Sequence, residues 1–128
     1  ARLGYRFDAA YVGGGTPTVL PGELASVLRL ARELWPIRGL SVETNPNHLT
    51  PEILGMLEEC GVDRLSVGVQ SFDDGLLSSI HRLHRYGSGV QIRNRLAAAR
   101  GRFPTLIRVQ RAATAQPRPA GRSASCGR

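Results

Sequence analysis

Apolar residues along the chain alternate between short runs and helical stripes. Ala9-Ala10-Tyr11-Val12 is a compact apolar run that stops at Gly13-Gly14-Gly15. It predicts a buried strand entering a tight loop. Leu24, Val27, Leu28, Ala31, Leu34 and Trp35 recur at helical spacing until Pro36 ends the pattern. Leu40–Glu43 predicts a second strand. Thr50-Pro51-Glu52 predicts a helix start, with an N-cap hydroxyl, proline at the first helical position and an acid near the positive end of the dipole. Ile53, Leu54, Leu57 and Cys60 form its apolar stripe, and Gly61 suits the position just past its end. Leu65–Val69 predicts a third strand. Ser71-Phe72-Asp73-Asp74 reads as a capping box with Asp in place of Glu, opening a third helix that buries Leu76, Leu77 and Ile80. After Gly87-Ser88-Gly89 comes a helical stretch from about Val90 to Arg100, and Pro104–Val109 opens a candidate fourth strand.

Strand starts near residues 9, 40 and 64 leave room for a helix between successive strands. Such βαβ units build a parallel sheet, so the expected class is α/β. In parallel sheets ligands gather at the carboxyl ends of the strands. Three loops would meet there: Gly13-Gly14-Gly15-Thr16-Pro17, Glu43-Thr44-Asn45-Pro46 and Gln70-Ser71-Phe72.

Composition narrows the class. With 128 residues the chain has room for one domain. No apolar run approaches the roughly 18 residues that span a bilayer. No basic-then-apolar leader opens the chain, and the expected compartment is the cytoplasm. Cys60 and Cys126 are too few for a disulfide framework and too far apart for a paired metal knuckle. The chain begins at Ala1 and its only methionine is Met56, so a fragment is expected.

The net charge of +7 is uneven. Residues 1–92 hold 8 Arg and all 10 acids, whereas residues 93–128 hold 9 Arg and no acid. Residues 107–128 are mostly Arg, Ala, Pro, Gly, Ser and Gln. Clustered arginine can neutralise phosphates, but no aromatic is present there to stack on bases. A compositionally biased, disordered end is the expectation over nucleic-acid binding.

Each rim loop suggests its own chemistry. Three glycines after a strand let a ligand approach the backbone, or make a plain tight turn. The loop is neither a Walker loop nor a dinucleotide fingerprint, because both spacings are absent. Glu43 can accept hydrogen bonds from hydroxyl or ammonium groups, or simply be solvated at a strand end. Gln70 can donate and accept to a polar ligand, or tie loop backbone. His81 and His84, beside Arg82 and Arg85, have i, i+3 spacing open to metal ligation, though solvated charges at a helix C-terminus are the plainer reading. Asp73 and Asp74 read as helix caps, and Cys60 as a small core residue. No metal site is expected.

The segments YVGGGTPTVLP, VETNPNHLTPEIL and GVDRLSVGVQSFDDGLL resemble the radical S-adenosylmethionine superfamily, and within it the oxygen-independent coproporphyrinogen III oxidase-like branch. The resemblance covers about Tyr11 to Leu106. It implies a parallel partial (β/α)6 TIM-like barrel, here a fragment of one. It also implies a [4Fe-4S] cluster that reduces S-adenosylmethionine to a 5′-deoxyadenosyl radical. Gly14, Gly15 and Thr16 match the glycine motif that holds the methionine end of S-adenosylmethionine. Glu43 matches a carboxylate that contacts the cofactor, Gln70 the loop glutamine, and Arg82 an arginine at the end of the next helix.

Two departures qualify this. The family's C-x3-C-x2-C cluster motif is absent, and neither Cys60 nor Cys126 matches its spacing or place. The family pattern also stops at Phe103-Pro104-Thr105-Leu106, where a change of reading frame would explain the acid-free tail. The expected domains are therefore a partial radical core over 1–106 and a disordered or out-of-frame tail over 107–128. The expected parent is a radical oxidoreductase of porphyrin biosynthesis acting on a porphyrinogen-like small molecule. The fragment itself is expected to be inactive. The alternative is a haem-binding chaperone of the same branch.

Overall fold

The structure, a computed structural model, describes residues 4–110. The expectations for a disordered tail, an out-of-frame tail and nucleic-acid binding fall largely on residues 111–128, outside the described residues, as does Cys126.

Four strands alternate with helices. Strand β1 (Ala9–Val12) leads through a short 3-10 turn at Pro17–Val19 into helix α1 (Pro21–Leu34). Strand β2 (Gly39–Thr44) leads through a second 3-10 turn at Pro46–His48 into α2 (Pro51–Glu59). Strand β3 (Arg64–Val69) is followed by α3 (Asp74–Ser79), α4 (Leu83–Tyr86) and α5 (Gly89–Ala99), and then by β4 (Thr105–Gln110). The sheet order is β1-β2-β3-β4 and every pairing is parallel. The α/β class expected from the alternation is the class observed. Among the described residues no helix is long and apolar enough to cross a membrane.

One face of the sheet carries the core. Leu40 and Val42 of β2 and Leu65, Val67 and Val69 of β3 are almost wholly buried. They pack with Leu24 and Leu28 of α1, Leu54 and Leu57 of α2, and Ile92 of α5 in one apolar cluster. Helix α2 begins as its sequence indicates, with the Thr50 hydroxyl accepting from the Ile53 amide and Pro51 at the first turn. Cys60 is buried in the core with its Sγ 4.0 Å from Met56 Sδ.

Several expectations need correction. Strand β1 is an edge strand that pairs on one side only, so it is not buried, and Tyr11 is 60% exposed. Val27, Leu34 and Leu76 were expected in apolar stripes, yet all three are exposed. Helical spacing locates a stripe but does not say how wide a neighbour covers it. The cap of α3 is Asp73, whose Oδ1 accepts from the Leu76 amide at 2.8 Å. Ser71 instead accepts from the Asp73 amide. The third helix also ends early. His81 has φ +56°, a left-handed conformation, which stops α3 and lets α4 begin after Arg82. His81 and His84 therefore do not share one helix. Strand β4 (Thr105–Gln110), in contrast, bears out the fourth strand expected over Pro104–Val109 and pairs with β3 over six residues.

Candidate functional site

The second face of the sheet meets the carboxyl-end loops in a cavity of about 720 Å³. Strand alternation explains its lining. Val42 and Val67 point into the core, so Glu43, Ser66 and Gly68 point the other way. Parallel register sets Glu43 beside Ser66, and Gly68 beside Val109 of β4. Tyr11 of β1 and Val109 complete this inner surface.

The loops supply the rest. Gly14 and Gly15 have φ +86° and +48°, and a Cβ built on either would meet only open space. Their backbone is thus both left-handed and uncovered, which is where glycine is needed. The Gly14 amide donates to Glu43 Oε2 at 3.2 Å, so loop and strand end are joined directly. Thr16 follows, its hydroxyl accepting from Asn45 Nδ2 at 3.3 Å. Gln70 lines the cavity just past β3.

Arg82 reaches the cavity because of the break at His81. Its amide donates to the Leu77 carbonyl at 2.7 Å, and its guanidinium lies 5.5 Å from the centroid of the Tyr86 ring. The Tyr86 carbonyl accepts from Arg95 Nη1 at 2.7 Å, which ties α4 to α5. Arg85 lines the same cavity.

All six residues singled out from the sequence, Gly14, Gly15, Thr16, Glu43, Gln70 and Arg82, line this one cavity. His81 and His84 do not, and both are exposed. The sequence reading missed Tyr11, Ser66, Gly68, Arg85, Tyr86 and Val109. Ser66 and Gly68 carried a usable signal: in Leu65-Ser66-Val67-Gly68-Val69 they fall at every second position, on the face opposite the aliphatics.

Among the described residues no group of three or more His, Cys, Asp or Glu could hold a metal ion. Cys60 lies in the apolar core. The described residues therefore do not fit a [4Fe-4S] cluster.

Comparison with known proteins decides the family. The Radical SAM superfamily matches residues 2–109. This chain is a Radical SAM protein. It is 48% identical over 80 residues to the heme chaperone HemW of Bacillus subtilis, a match covering 59% of this chain and 21% of that protein. It is 42% identical over 88 residues to the oxygen-independent coproporphyrinogen III oxidase of Cereibacter sphaeroides, covering 64% of this chain and 20% of that one. In structure, this Radical SAM chain resembles coproporphyrinogen III oxidase (HemN) from Escherichia coli, described as a Radical SAM enzyme. The TM-score is 0.68 at 27% identity, covering 82% of this chain and 25% of that one. The chain thus spans about a fifth to a quarter of the length of these relatives.

Proposed function

We propose that the rim cavity binds S-adenosylmethionine, and that the chain is the corresponding segment of a radical S-adenosylmethionine oxidoreductase related to the coproporphyrinogen oxidases. The observation that carries this reading is the convergence of an uncovered glycine loop, the Glu43 carboxylate, the Gln70 carboxamide and the Arg82 guanidinium on a single cavity.

The chemistry of the ligand suits these groups. Its methionine end carries an ammonium and a carboxylate, and its nucleoside end carries hydroxyls and a purine. Glu43 would accept from the ammonium or from hydroxyls, and Arg82 would donate to the carboxylate. The left-handed Gly14–Gly15 backbone would take the methionine end without a Cβ in the way. Gln70 would donate and accept at a polar edge without adding charge. When bound, S-adenosylmethionine supplies a sulfonium-linked 5′-deoxyadenosyl group. A porphyrinogen-like small molecule is the proposed substrate of the whole protein.

Calorimetric titration of the chain with S-adenosylmethionine tests the proposal. Binding at one equivalent is expected, weakened at least about tenfold by Glu43→Gln, the loss of a charge-assisted contact. Heat no greater than dilution up to millimolar ligand would refute it.

A second reading has its own support in the 48% identity to a heme chaperone. Under that reading the whole protein binds haem and has no oxidase activity. A Soret shift on hemin titration that is lost in His81→Ala or His84→Ala would favour it. An unshifted Soret band would leave the enzyme reading standing alone.

A further inference from the structure

Beneath the cavity wall lies a buried polar junction that none of the six cavity residues accounts for. Thr18, in the 3-10 turn after the glycine loop, is only 1% exposed. Its hydroxyl lies 2.7 Å from Thr44 Oγ1 and 2.7 Å from His48 Nδ1. Thr44 is the last residue of β2, next to Glu43, and His48 ends the second 3-10 turn. One hydroxyl therefore joins three segments: the loop after β1, the end of β2 and the loop after β2.

A second strut runs parallel to the first. Asn45 is buried, with its Nδ2 donating to Thr16 Oγ1 and its Oδ1 accepting from the Asn47 amide at 2.9 Å. Both struts connect the glycine loop to the β2 end. Both lie just past the point, in sequence, where the Gly14 amide meets Glu43.

A threonine is an uneconomical choice for packing alone. Burying a hydroxyl without partners costs free energy, and valine has nearly the same shape without that cost. A buried hydroxyl with two partners at 2.7 Å instead fixes direction as well as distance, because a hydroxyl has one donor and two acceptor positions. Thr18 itself does not line the cavity, whereas Thr16, Glu43, Thr44 and Asn45 do.

The geometry points to Thr18 as a positioning residue: its hydroxyl, with Thr44 and His48, sets the spacing between the glycine loop and Glu43 and so the affinity of the cavity for S-adenosylmethionine. This rests on the ligand proposed above. The test uses Thr18→Val, which keeps the shape, Thr18→Ser, which keeps the hydroxyl, and His48→Leu, which removes one partner. Each full chain is titrated with S-adenosylmethionine well below its thermal midpoint, and amide hydrogen exchange at Gly14 is followed without ligand.

Thr18→Val is expected to weaken binding about tenfold and to speed Gly14 exchange, in keeping with the loss of one or two neutral hydrogen bonds. Thr18→Ser should stay within about twofold of the parent, and His48→Leu should fall between. A Thr18→Val chain with parental affinity and parental Gly14 exchange overturns the assignment, as does Thr18→Ser falling as far as Thr18→Val. If the parent chain binds no S-adenosylmethionine, the functional reading fails on that result. The exchange measurement then decides the positioning role alone: faster at Gly14 in Thr18→Val but not in Thr18→Ser supports it, and unchanged in both refutes it.

Discussion

The two faces of this sheet are made from the same strands and obey opposite rules. On the face toward the helices, Leu40, Val42, Leu65, Val67 and Val69 are aliphatic and almost wholly buried. On the other face, the alternate positions hold Tyr11, Glu43, Ser66 and Gly68. A parallel strand covered on both sides by packed side chains reads as a continuous apolar run. Here β3 reads Arg-Leu-Ser-Val-Gly-Val. Small and polar residues on one side leave room, and the room is the cavity. One face holds the fold together and the other lines an open cavity.

The sharpest way to break this comparison is to exchange the roles of adjacent residues. Leu65→Ala should cost about 3 kcal/mol in chemical denaturation, the ordinary penalty for emptying a buried leucine site. Ser66→Ala, one position along on the other face, should cost less than about 1 kcal/mol. Equal costs would mean that the two faces do not differ in kind.

Next in size is a substitution that fills the open face. A Cβ on Gly68 would lie 3.7 Å from the Thr44 carbonyl, an ordinary contact. Gly68→Val should therefore fold as well as the parent, aided by the preference of strands for β-branched residues. Its side chain would occupy the cavity, and S-adenosylmethionine affinity should drop at least about tenfold. A Gly68→Val chain that binds as the parent does would place the ligand elsewhere.

The smallest effect concerns neither face. Arg102 forms a two-pronged contact with Glu58, with Nε at 2.9 Å from Oε1 and Nη2 at 2.6 Å from Oε2. This hydrogen bonding holds the Glu58 carboxyl below its ordinary value of 4.5. A carboxyl lowered in the folded state stabilises above its unfolded value and loses that stabilisation as pH falls through the folded one. Thermal midpoints should therefore lie slightly lower for Glu58→Gln than for the parent near neutral pH, and the two should converge as pH falls and Glu58 is protonated, so that the parent falls in acid slightly more steeply. A larger acid sensitivity in Glu58→Gln would reverse the sign and refute the pairing. Surface pairs of this kind contribute little, so the difference should be the least of the three.

Local chemistry made part of this legible in the sequence. Thr50-Pro51 marks the start of α2 because a hydroxyl cap and a proline act within one turn. The glycine loop after β1 is visible because few other residues adopt φ +86°. The α/β alternation and the gathering of loops at one sheet edge follow from periodicity and chain connectivity. What could not be read depends on approach in three dimensions. Nothing near His81 announces a helix break, since it is neither glycine nor proline and its left-handed turn is imposed by context. Whether Val27 or Leu28 is covered depends on the width of the surface that packs on α1. The Thr18–Thr44–His48 junction joins residues up to 30 positions apart, and no spacing in the chain signals it.

Each strand of the sheet lies beside its neighbour in sequence, and the cavity takes groups from Tyr11 to Val109, drawing on three successive strand-and-helix units and on β4. A ligand that touches all three gains nothing from a chain in which only two have docked. By mass action it stabilises the fully assembled sheet and no earlier state. Saturating ligand should accordingly sharpen the unfolding of the three units into a single event, so that the molecule's cooperativity becomes a property its ligand helps to set.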